Sequence, residues 1–142
     1  EWLVIWAGLV LRHTPRCILE RCGTSVARVA TGVFVQNILG GSPADARELM
    51  VHCFLLELDE QPVMNLSEVL QALARAHETQ RGACTTEESS GGDEERRWVR
   101  LRLVDLYGQE HVRALQCDPL FFPTLDLRRG QGNRWHCQRL TW

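Results

Sequence analysis

The sequence predicts a small α+β domain: a curled antiparallel sheet, a partial barrel, with two helices and a C-terminal strand-rich extension. Three observations carry that reading. Trp98 to Asp105 (WVRLRLVD) alternates strictly, and His111 to Cys117 (HVRALQC) alternates again after a Tyr107-Gly108 turn, which is a hairpin pattern. Residues 65 to 78 (NLSEVLQALARAHE) repeat apolar side chains at helical spacing through Leu66, Val69, Leu70, Leu73 and Ala74. Residues 32 to 50 (GVFVQNILGGSPADARELM) read as a strand, a glycine break and a capped helix. Strands interleaved with two helices fit one two-layer domain.

Each element has a local reason. Trp2 to Leu11 (WLVIWAGLVL) reads as a strand interrupted by Ala7-Gly8. Arg12 to Thr31 is irregular, since Pro15 cannot continue a central strand, and Cys17 to Arg21 suits one helical turn. Gly32 to Leu39 is β-branched and aromatic. Ser42 is a good N-cap, Pro43 fits the first helical position, and Asp45 complements the helix dipole, so a short helix is expected over Ser42 to Met50. Cys53 to Leu58 (CFLLEL) is a strand that turns at Asp59-Glu60-Gln61. Asn65 and Glu68 stand in capping-box register before the longer helix. Thr79 to Arg97 is polar and glycine-rich and is expected to be a mobile loop. Asp118 to Trp142 forms another strand pair around the turn at Gly130 to Gly132. The organisation is thus a domain over 1–117, containing the 79–97 loop, with an extension over 118–142 packed on it.

Bulk properties exclude several classes. The chain has 142 residues, 44% hydrophobic and 24% charged, as for an ordinary globular domain. Glu1 in place of a methionine suggests a piece of a longer protein. A net charge of −2 gives no reason to expect a nucleic-acid or anionic-membrane surface. All 16 basic residues are arginine, which reflects coding bias rather than chemistry. The longest apolar run, Leu3 to Leu11, is far short of the roughly 20 residues of a membrane span and lacks signal-peptide flanks. The 6 cysteines (Cys17, Cys22, Cys53, Cys84, Cys117, Cys137) show no CxxC, so reduced thiols and an intracellular setting are expected. His136-Cys137 and Cys17 to Cys22 lack finger-like spacing, so no metal and no cofactor is expected.

The order of elements and four phrases resemble a PDZ domain of an HtrA/Deg-type serine protease. Trp6-Ala7-Gly8-Leu9 resembles the carboxylate-binding loop, and GVFVQNILGGSPA resembles the strand running into G-S-P-A. CFLLELDEQPV resembles the strand and turn that follow, and NLSEVLQAL resembles the helix lining the peptide groove. Two departures stand out: the A-G-L-x-x-G-D that usually follows S-P-A is absent, and Asp59-Glu60-Gln61 replaces the usual Asn-Gly. WVRLRLVDL, RALQCDPLFFPTLDLRR and the later Trp135 resemble the C-terminal end of the large eukaryotic double-protease branch, the fungal nuclear and plant chloroplast forms. The resemblance implies a non-catalytic module of a serine-protease parent, in a nucleus or chloroplast.

It also implies sites. Backbone N–H groups around Trp6, Ala7, Gly8 and Leu9 would hold a peptide carboxylate, and a ligand strand would add along Leu9, Val10 and Leu11. Leu66, Val69, Leu70 and Leu73 would shape the pocket for its last apolar side chain. The expected partners are apolar C-termini, extended segments, or the parent's own protease domain. The alternative is a structural or oligomerisation domain whose groove is filled by its own chain. Phe121, Phe122, Trp135 and Trp142 either pack the tail or form an inter-subunit contact. Ser89-Ser90-Gly91-Gly92-Asp93 resembles the G-x-S-G-G of a serine nucleophile, but no rigid His-Asp partner or protease barrel accompanies it, so a loop is expected and no catalytic residue is assigned. Arg100, Arg102 and Arg113 are expected to share one face of the hairpin, and the five histidines to be ordinary surface or core residues.

Overall fold

The computed structural model of the chain describes residues 1–22, 26, 32–82 and 97–141. Cys84, the Ser89 to Asp93 segment and Trp142 lie outside the described residues. Nine antiparallel strands form an open sheet: β1 (Trp2–Trp6), β2 (Leu9–His13), β3 (Val33–Ile38), β4 (Cys53–Leu58), β5 (Gln61–Pro62), β6 (Arg97–Val104), β7 (Glu110–Cys117), β8 (Thr124–Arg129) and β9 (Trp135–Leu140). Their order is β7-β6-β4-β3-β2-β1-β8-β9, with β5 beside β4. Three helices are described: α1 (Arg16–Arg21), α2 (Pro43–Ala46) and α3 (Leu66–Gly82).

The expected first strand is two strands. Ala7 and Gly8 both have positive φ, 49° and 88°, and fold Trp6 against Leu9 as a two-residue hairpin. Positive φ at both central positions matches the twist of the flanking strands. α2 is shorter than the sequence suggests. Ser42 accepts a bond from the Asp45 N–H at 3.2 Å as its N-cap, but Glu48 at φ 51° stops the turn. α3 is longer than expected. It runs to Gly82, and β6 begins at Arg97, so the expected loop over 79–97 gives up residues at both ends. Its N-terminus is a reciprocal cap. Glu68 donates its N–H to Asn65 Oδ1 at 3.0 Å and accepts from the Met64 N–H at 2.6 Å.

Most of the core lies on one face of the sheet. Leu66, Val69 and Leu73 of α3 pack there with Val4, Trp6, Leu9, Leu11, Leu55, Leu101 and Leu115. The other face carries a smaller cluster of Val26, Phe34, Phe54, Leu56 and Val104, against which Ile18 of α1 and Cys22 pack. The tail enters the sheet directly, since β8 pairs with β1 from Trp2↔Arg128 to Ile5↔Leu125. The Arg113 expectation needs correction. Arg113 pairs with Leu101, whereas Arg100 and Arg102 pair with Ala114 and Val112, so Arg113 stands on the opposite face of the hairpin. The cationic face is also answered within the chain: Arg102 contacts Glu57 and Glu110, and Arg100 contacts Glu60.

Candidate functional site

The residues expected to read a peptide terminus do come together, but in the interior. Trp6 is 2% exposed, and Ala7, Gly8 and Leu9 are also buried. The Ala7 carbonyl accepts the Ala44 N–H at 3.1 Å and the Gly8 carbonyl accepts the Leu39 N–H at 2.8 Å. A Cβ on Gly8 would sit 2.0 Å from Ser42 Cβ and Oγ. The glycine therefore admits the chain's own helix cap rather than leaving space for a ligand.

The neighbouring strand is closed on both sides. β2 pairs with β1 over Leu3↔Arg12 to Trp6↔Leu9, and with β3 over Leu9↔Ile38 to His13↔Val33. Antiparallel strands turn alternate residues toward alternate neighbours. The tight Trp6↔Leu9 pair fixes the phase: Leu9 and Leu11 point their backbone groups at β1, and Val10 points its groups at β3. β1 thus takes the place a ligand strand would need along Leu9, Val10 and Leu11. Leu66, Val69 and Leu73 are fully buried with Leu9 and Leu11, and Leu70 is half-buried against them. Val10 lies on the opposite face, half-buried.

Sequence reasoning missed that opposite face. Register places Val10 beside Ile5, Ile5 beside Leu125, Leu3 beside Leu127 and Leu127 beside Cys137. All four of these leucines and isoleucines are half-buried, and none belongs to either core cluster. The signal was available in WLVIW, where apolar residues fall on both faces of one strand, and in TLDL, where both leucines fall on one face and Thr124 and Asp126 on the other. Between them the buried Asp126 accepts Trp2 Nε1–H at 2.6 Å and pairs with Arg128 at 3.1 Å, which ties the tail to β1 on the core side.

The tail aromatics remain accessible. Phe121 is 74% and Trp135 43% exposed, and Phe122 is half-buried. Every residue of β9 is exposed except Leu140, which is half-buried. Arg129 lies 5.9 Å from the Trp135 ring centre, and Arg139 Nη2 donates to the Pro119 carbonyl at 3.0 Å.

A His-Asp pair caps a turn. Asp105 accepts the Gln109 and Tyr107 N–H groups at 2.9 and 2.8 Å and contacts His111 Nε2 at 3.2 Å. The Gln109 N–H, with His111 and the Tyr107 N–H, holds its carboxyl below the usual range. The nearby Cys53 thiol is fully buried, donates to the Met50 carbonyl at 3.1 Å, and is pushed up to about 12 by burial. A thiol so protonated is a poor nucleophile. Among the described residues no three His, Cys, Asp or Glu side chains are grouped to hold a metal ion, and no helix is long and apolar enough to cross a membrane. No family model, no curated protein and no solved structure matches the chain.

Proposed function

We propose that the chain is a non-catalytic PDZ-type module of a Deg/HtrA-like serine protease, with its peptide groove filled by its own first strand. It serves the assembly of the parent rather than the capture of free peptide termini. The observation that carries this reading is the double pairing of β2. Buried Trp6-Ala7-Gly8-Leu9 and the Ser42 cap beneath Gly8 support it. Strand addition along β2 would require β1 to leave, and β1 is itself bonded to β8.

The test is fluorescence anisotropy with labelled peptides ending in Val, Leu, Phe or Ala, each as free acid and as amide. No saturable binding is expected. Binding that is lost on amidation would return the groove to peptide reading and overturn the filled-groove proposal. In the parent protease, removal of this segment should change oligomeric mass while small-peptide turnover persists. Unchanged mass would remove the assembly role.

A further inference from the structure

Among the described residues the sheet ends at β9, and no strand pairs with its outer edge. Which of its groups face that edge follows from two bonds. Gly130 N–H donates to the Arg134 carbonyl at 2.9 Å, and Arg129 N–H donates to the Glu1 carbonyl at 2.8 Å. Arg129 therefore directs its backbone toward β1, and its β9 partner Trp135 directs its own away from β8. Alternation then places the N–H and C=O of Trp135, Cys137 and Arg139 on the open edge.

We infer that this edge pairs with the same edge of a second copy of the chain, antiparallel about a two-fold axis at Cys137. Groups directed at the edge must meet groups directed at the edge, which limits the registers. Centring on Cys137 pairs all three edge-directed residues, Trp135, Cys137 and Arg139, within the strand. It sets Cys137 against Cys137 of the copy, Trp135 against Arg139 and His136 against Gln138. No like charges are then directly opposed, and each Trp135–Arg139 pair adds a cation over an indole face. Centring on Arg139 would oppose two guanidinium groups, and centring on Gln138 would leave Trp135 beyond the last strand residue. Arg139 is already held on the Trp135 face by Pro119. The pairing also carries the aliphatic face of Leu3, Ile5, Leu125 and Leu127 across the axis as one surface. Self-complementarity is what a two-fold contact demands. The inference rests on the reading of the chain as an assembly module, but it fails separately.

The experiment is sedimentation velocity from about 10 µM to about 1 mM, the range for a short edge contact. A monomer–dimer equilibrium is expected. Cys137→Pro removes an N–H that faces the open edge rather than β8, so the hairpin tolerates it and the dimer is lost. Cys137→Asp leaves an exposed position exposed and sets two carboxylates against each other, weakening the dimer at least about tenfold. Hydrogen-bonded cross-strand Cα atoms lie about 5.5 Å apart, within disulfide reach. Diamide should therefore link the dimer through Cys137: two thiols lose two protons and two electrons, the azo group takes up both and becomes a hydrazine, and one S–S bond forms. Cys17→Ser should still link and Cys137→Ser should not. A monomer throughout, a dimer indifferent to Cys137→Asp, or linkage through Cys17 would overturn the pairing. In each of those cases the absence of peptide binding would leave the filled groove standing.

Discussion

Gly8 is the residue on which the filled groove turns. Its φ of 88° and the 2.0 Å clearance to Ser42 leave no room for a side chain. Gly8→Ala should cost at least about 2 kcal/mol in urea unfolding, from strain and overpacking together. A near-neutral result would mean that the hairpin and the α2 cap do not meet. Asp105 gives a pH signature. Its folded carboxyl titrates below the unfolded value of about 3.9, so its stabilisation is fully present above that value. That stabilisation is lost as pH falls through the folded value. Asp105→Asn should therefore be less stable than the parent sequence at pH 7, and the gap should close in acid; an equal gap at all pH values would contradict the cap. Thiol labelling of the native protein should mark exposed Cys17 and Cys137 and spare Cys53, which mass spectrometry reads directly.

Local pattern made α3 legible. Asn65, Glu68 and the Leu66-Val69-Leu73 spacing gave its start and its buried face, and Asn65→Ala should cost about 1 kcal/mol of stability by thermal or urea unfolding. Its end was not legible, because Thr79 to Gly82 are polar and carry no apolar periodicity. Residue types also placed β3, β4 and the β6–β7 hairpin within a residue or two. The β1–β2 hairpin was hidden because alanine seldom adopts positive φ, so Ala7-Gly8 looked like a flaw in one strand rather than a turn. That misreading decided the site. A single long strand leaves β2 with an edge for a ligand; a hairpin gives that edge to β1. The helix side of the groove changes meaning too. Val69→Glu would bury a carboxylate in the core, and it should unfold the domain by at least about 3 kcal/mol rather than block a peptide selectively.

Across the whole molecule, no short-range pattern could reveal that Trp2 pairs with Arg128, because the partners belong to opposite ends of the chain. The same pairing has a consequence for how the protein forms. During synthesis the first strand emerges long before its second neighbour, so the β1–β2 hairpin spends the interval with a bare edge rich in Leu3 and Ile5. Closing so long a loop is slow compared with hairpin formation. The nascent domain therefore passes through a state whose hairpin edge is open to any extended segment, and the arrival of TLDLRR ends that window. A chaperone that reads aliphatic strands has this edge as its substrate before the last strands appear, and loses it when β8 pairs with β1.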